Sequence, residues 1–262
     1  MMSAMRDVFR SAGLWRIWVR LGIQDVRLRF RRSVVGVWWI FLNLAVMIIA
    51  IGFIYANLLG QDMKEFIPYL TVGLIAWGYL TNSIVDGGNA FVNSEGYIKQ
   101  ISLPIYVYIY RYFVSITLTA CISLIAFLFI AIAYGLSFQP GMLWVVPGLL
   151  ILMTTSLLLI AIFAHLNARF RDAAHLAAVV MQVLFYVTPV IFPADLLRQR
   201  KLGVIIDLNP MYHLLEVVRR PLLSGTAADP VSYVAAGLFI ALLAGAAAAL
   251  IGIYQRRIVY AL

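Results

Sequence analysis

Six long apolar runs separated by short polar connections account for most of the chain: residues 37–58, 66–86, 104–135, 142–166, 176–193 and 231–254. Each is read as an α-helix, because unpaired strand backbone cannot be carried through hydrocarbon and about 20 residues at about 1.5 Å per residue reach across it. The pattern predicts an all-α integral membrane protein with six transmembrane helices over residues 37–262, both termini on one side, behind an N-terminal segment 1–36. The third run carries Tyr106, Tyr108, Tyr110 and Tyr112 at a spacing of two, which alone suggests a strand. The length of the run overrides that spacing. It predicts one helix whose inner end carries an aromatic belt, with Arg111 snorkelling to the headgroups.

The polar connections differ in kind. Leu14 to Arg32 interleaves Trp15, Ile17, Trp18, Leu21 and Val26 with Arg20, Asp25, Arg27, Arg29, Arg31 and Arg32, the pattern of an amphipathic helix lying in the headgroup plane. Segment 87–103 has mixed polarity and ends at Pro104, which predicts a short surface helix over Ser94, Glu95, Gly96, Tyr97, Ile98, Lys99 and Gln100 that could dock on a partner. Asn167 to Asp172 reads as a tight polar turn. In segment 194–230, Pro189 and Pro193 break the run before it, and Asn209 can cap a helix that Pro210 starts. That helix, about 14 residues or roughly 21 Å, cannot cross a bilayer, so the segment is read as two re-entrant half-helices.

Composition agrees with membrane residence: 64% of residues are hydrophobic and 12% charged, against about 25% charged in soluble domains. Charge sets the orientation. Eight arginines precede Ser33, and with Lys99, Arg111, Arg169, Arg171, Arg256 and Arg257 they put 14 of 20 basic residues on the side read as cytoplasmic. Arg198, Arg200, Lys201, Arg219 and Arg220 fall on the other side, against the trend. Charges within residues 16–29 interrupt any signal-peptide core, so no cleavage is expected. The basic excess collects at one membrane boundary, where anionic lipid is a nearer partner than nucleic acid.

The chemistry is spare. Lys64, Lys99 and Lys201 follow Met63, Ile98 and Arg200, so no Gly-Lys-Ser/Thr phosphate loop exists and the chain is not expected to hydrolyse ATP. No carboxylate lies between Glu95 and Asp172, and none falls at the middle of a run, which argues against ion-coupled transport. His165, His175 and His213 are read as interfacial histidines and not as metal ligands, and the single Cys121 sits in an apolar run. No catalytic residue, metal site or cofactor is expected.

The run Arg27 to Trp39, the stretch Pro68 to Gly78, Glu95 to Pro104, and Leu208-Asn209-Pro210-Met211 resemble, in that order, the ABC-2 type exporter permeases of the branch exporting O-antigen, capsular or teichoic-acid polysaccharides. This chain has Val37 and Leu44 where many relatives have proline. The resemblance implies a six-span permease of the type V exporter fold in the bacterial inner membrane, working as a homodimer. It also implies two copies of a soluble ATPase subunit that bind ATP and Mg, and a polyprenyl-pyrophosphate-linked glycan as cargo. It implies an interface helix near residues 14–32 and a coupling helix near 93–100. Half-helices near 195–223, with Pro189, Pro193, Asn209 and Pro210, would gate the exit. Trp38, Trp39, Tyr69, Trp77, Tyr106 and Tyr110 are candidates for stacking on the passing glycan or for membrane-interface belts. Export of a small lipid or drug by the same architecture is an alternative. A membrane-embedded lipid-linked glycosyltransferase is a weaker one, since the carboxylates are scattered singly.

Overall fold

The structure, a computed structural model, describes the backbone of residues 2–254 and side chains from Arg6 onward. Arg256 and Arg257 lie outside the described residues. Within them every regular element is helical: α1 Met2–Gly13, α2 Trp15–Phe30, α3 Trp38–Leu59, α4 Met63–Val85, α5 Glu95–Gln100, α6 Tyr106–Ala133, α7 Val145–Arg169, α8 Ala173–Val187, α9 Ala194–Gln199, α10 Gly203–Asp207, α11 Pro210–Ser224 and α12 Pro230–Tyr254.

Four of these are long and apolar enough to cross a membrane: α3, α6, α7 with the 3₁₀ turn Pro140–Trp144 that leads into it, and α12. Two of the six predicted spans take other forms. α4 has 23 residues, length enough to cross, but includes Thr71, Thr81, Asn82 and Ser83. It packs against α3, α6, α7, α8 and α11, and a helix enclosed by other helices need not be apolar towards lipid. Thr71 and Ser83 satisfy their hydroxyls on the carbonyls of Ile67 and Tyr79 one turn back, and Ser83 meets Ser156 of α7 at 2.6 Å. The fifth run, expected over 176–193, is helical only over the 15 residues of α8, or about 22 Å. Thr188 leaves the helix with an extended backbone, and Pro189 has no amide to continue it.

The alternating tyrosines do lie on one helix, the 28-residue α6. They form no lipid-facing belt, because α2 and the 3₁₀ turns after α4 cover that end. Tyr106 and Tyr108 are buried, Tyr110 stacks on Trp18 with ring centroids 5.4 Å apart, and Tyr112 accepts a hydrogen bond from Asn93 Nδ2 at 2.9 Å. α2 lies along α6 at close range: a Cβ at Gly22 would come within 2.8 Å of the Arg111 carbonyl oxygen. Arg111 therefore does not snorkel. Its Nε and Nη2 donate to the two carboxylate oxygens of Asp25, each at 2.6 Å.

Candidate functional site

Two regions at opposite ends of the helical bundle gather the side chains that can act. At the end formed by α2, the close of α4, α5 and the close of α7, the chain leaves α4 through two 3₁₀ turns, Gly87–Asn89 and Val92–Ser94. These are bolted to α7. Gly87 lies so near Ile160 that a Cβ there would meet Ile160 Cγ1 at 2.5 Å. Phe91 is buried edge-on against His165 with centroids 5.2 Å apart, and Asn167 Nδ2 donates to Asn89 Oδ1 at 2.7 Å. His165 is thus not an interfacial histidine. It is buried, with Nδ1 2.6 Å from the Ala161 carbonyl and the Tyr106 ring on another side.

On this fixed base stands α5, none of whose six residues is buried. Ser94, buried, marks the point where the chain emerges. Gly96, Tyr97, Lys99 and Gln100 are exposed, Tyr97 by 53%, while Ile98 leans on the core. Lys99 Nζ donates to Glu95 Oε1 at 2.6 Å. That hydrogen bond, then the ammonium charge, holds the Glu95 carboxyl below the usual carboxylate range, and the charge of Arg171 in the neighbouring turn acts in the same direction. Arg111 lies over the Tyr97 ring at 5.7 Å, so the Asp25–Arg111 pair joins α2, α6 and α5. Of the N-terminal candidates, Arg20, Arg27, Arg31 and Arg32 are exposed. Arg29 meets Asp86 at 3.4 Å, and Asp25 turns inward. The N-terminal helix is therefore docked through one face, with a row of guanidinium groups left on the other.

The opposite end is organised around a residue that the sequence reading counted only as a basic residue on the outer side, against the charge trend. Arg219 of α11 is 1% exposed. Its Nη1 donates to Tyr69 Oη at 2.7 Å and to the Pro189 carbonyl at 2.9 Å, and its Nη2 to the Val190 carbonyl at 3.4 Å. The guanidinium carbon lies 3.9 Å from the centre of the Tyr69 ring, and Glu216 is 3.6 Å away. Burying an unpaired cation costs several kcal/mol. Here two carbonyls, a hydroxyl, a ring face worth about 2 kcal/mol when desolvated, and a carboxylate offset it. Gly73 of α4 makes the room, since a Cβ there would collide with Arg219 Nη2. The one cue in the sequence was that Arg219 follows Val217 and Val218 directly, within an apolar stretch of the helix.

Of the residues expected at a gate, Pro189 touches this cation directly. The Pro189 carbonyl, freed where α8 stops, accepts from both Arg219 and Tyr69. Asn209 accepts from the Met211 amide at 3.0 Å as the cap of α11, with Pro210 in its first turn, and donates to Thr188 Oγ1 at 2.8 Å. Pro193 precedes α9. The segment 194–230 thus holds three short helices where the sequence predicted two, of which α11 is inserted among α4, α7 and α12. Gly148 of α7 permits that insertion, as a Cβ there would meet the Val217 carbonyl.

The six candidate aromatics separate. Trp38 and Trp39 are 68% and 45% exposed on α3, beside the open row Leu42, Val46, Ile49 and Phe53. Trp77 is buried edge-on against Phe185, Tyr106 is buried beside His165, Tyr110 is taken by Trp18 and Tyr69 by Arg219.

Residues 18–223 match the model of the ABC-2 type transporter family, and the chain belongs to that family. It is accordingly a membrane-embedded transport subunit. Among curated relatives, an O-antigen export system permease protein, RfbA, of Myxococcus xanthus is 24% identical over 216 residues, 82% of each chain. Two proteins of the same name from Klebsiella pneumoniae are 24% and 22% identical, each over about 78% of its own length.

Proposed function

We propose that this chain is the permease subunit of an ATP-binding cassette exporter that moves a lipid-linked polysaccharide of the O-antigen or capsule type, carried on polyprenyl pyrophosphate, across the bacterial inner membrane. The observation behind this reading is the breadth of the likeness to O-antigen export permeases, 82% of the chain, beside a family match over residues 18–223 that takes in both the α5 end and the Arg219 end. The chain adds no phosphate loop, so ATP and Mg belong to a separate soluble subunit, two copies of which serve a homodimer of this chain.

In this reading the domain is six-spanned, with α4 as the second span and α8 together with residues 188–193 as the fifth. The α2 and α5 end faces the cytoplasm. Ser94 to Gln100 forms the coupling surface, and the exposed arginines of α2 meet lipid headgroups or the ATPase. The glycan passes along α3, where Trp38 and Trp39 are free to stack on sugar rings. Residues 189–223 form the exit gate, closed by Arg219. Deleting the chain should abolish surface display of the polysaccharide and leave its lipid-linked form inside. The purified chain should hydrolyse no ATP until its soluble partner is added. Undiminished display in the deletion strain would refute the proposal.

A further inference from the structure

Between the short helices α9 and α10, the outer face of α11 and the start of α12 lies an open pocket of about 380 Å³. Its walls carry two guanidinium groups, Arg198 and Arg220, three carboxylates, Asp207, Glu216 and Asp229, and the ring of Tyr212. The frame is fixed. Both ring nitrogens of His213 are engaged, Nδ1 with Ser232 Oγ at 3.1 Å and Nε2 with the Asp207 carbonyl at 2.9 Å, which ties α10, α11 and α12 together behind the pocket. Asp229 caps α12 by accepting from the Val231 amide, and Arg198 meets Asp207 at 3.3 Å.

The lining narrows the ligand class. An anion would meet three carboxylates, and a lone cation two guanidinium groups. Among the described residues no three His, Cys, Asp or Glu side chains converge as a metal site. An apolar tail would strand all five charges. A group that both donates and accepts hydrogen bonds around a ring with a C–H face suits all of them: hydroxyls donate to the carboxylates, accept from the forked guanidiniums and leave the ring face to Tyr212. The volume lies within the roughly 300–1,000 Å³ of small-molecule sites.

We propose that this pocket is a saccharide-binding site on the exit side of the protein, taking one or two sugar units of the emerging glycan. It rests on the exporter reading above. Glu216 belongs to both structures, lining the pocket on one side and facing Arg219 at 3.6 Å on the other. A sugar hydroxyl that engages Glu216 competes for the one carboxylate beside the buried cation, so occupancy of the pocket reaches the latch.

The test uses the permease with its ATPase partner in phosphatidylcholine nanodiscs. The probe is the host's own polysaccharide, freed from its lipid by mild acid and followed by saturation-transfer NMR. Saturable binding is expected, weakened about tenfold or more, the loss of one charge-assisted hydrogen bond or more, by Glu216→Gln, Tyr212→Ala and Asp229→Asn. The last of these keeps the helix cap, because asparagine caps as well as aspartate. His175→Ala, an exposed change at the far end, should change nothing, and each variant's copurification with the ATPase checks its fold. No binding to the wild-type complex, or equal binding by all three variants, overturns the site. So does occupancy by phosphorylethanolamine with no glycan binding, which would mark a lipid-headgroup site. If display depends on the chain while the freed glycan fails to bind, this inference alone falls; if display does not depend on the chain, the exporter reading falls with it.

Discussion

Asp25 and Arg111, 86 residues apart, close a two-point ion pair that fastens the N-terminal helix to the start of α6. With side chains 22% and 16% exposed the pair is largely shielded. Breaking a fully buried pair costs about 3–5 kcal/mol; partial exposure lowers the expectation here to about 1–3 kcal/mol. Asp25→Ala should lower the melting temperature in detergent and open the Leu14–Arg32 region to protease. The exchange Asp25→Arg with Arg111→Asp should recover part of the loss. Gly22→Ala should release α2 by a different route, steric and unaffected by salt, since the obstructing atoms are Val114 Cβ and the Arg111 carbonyl oxygen.

Arg219 supplies a second stability test. Tyr69→Phe removes the hydroxyl that both accepts from Arg219 and reaches the Pro189 and Phe192 carbonyls, so a loss of about 1–3 kcal/mol is expected. Arg219→Lys keeps the charge but not the fork and should destabilise by a similar amount. Thermal unfolding of the purified variants measures both. Equal stability of wild type and Arg219→Gln would mean that the guanidinium network carries no weight.

Much of this architecture was legible in the chain and some of it was not, for one physical reason. Apolar runs and Asn209-Pro210 declare themselves through neighbours close in sequence, so α3, α6, α7, α12 and the start of α11 follow from hydropathy and capping. Arg111 and Arg219 are explained only by partners 86 and 150 residues away, Asp25 and Tyr69, which no local pattern can supply. For that reason Arg111 was read as snorkelling to the headgroups and Arg219 as one of the basic residues on the outer side. α4 shows the converse: enclosure by five helices lets it carry hydroxyls and amides that weaken its hydropathy. The Glu95 to Gln100 helix was legible in place, but its fixed base on Phe91, His165 and Asn167 was not.

Topology can be checked by thiol labelling in intact cells. In a Cys121→Ser background, Lys64→Cys at the start of α4 and Arg200→Cys after α9 should react with an impermeant maleimide, and Lys99→Cys should not. Reaction at position 99 from outside would invert the orientation.

The Glu95–Lys99 pair makes a prediction about pH. Lys99 lowers the folded carboxyl below its unfolded value of about 4.3. Whatever the pair contributes is therefore fully present above that unfolded value and disappears only as pH falls through the lowered folded one. Association with the ATPase, measured by copurification, should be flat between about pH 6 and pH 8 as far as this pair is concerned. A loss confined to that window would point to a different titrating group.

The central claim is that this chain carries glycan outward by movement delivered at α5. It is tested most directly by measuring polysaccharide at the cell surface in a deletion strain restored with wild type or with Glu95→Arg combined with Tyr97→Ala. The Glu95–Lys99 pair is solvent-exposed and contributes little to the fold, so the double variant should insert and fold as wild type does. Surface polysaccharide should return with the wild-type chain. With the double variant it should stay absent, while lipid-linked glycan accumulates inside and the ATPase copurifies poorly or hydrolyses ATP without export. Full surface display with the double variant, at wild-type levels of both proteins, would contradict the account.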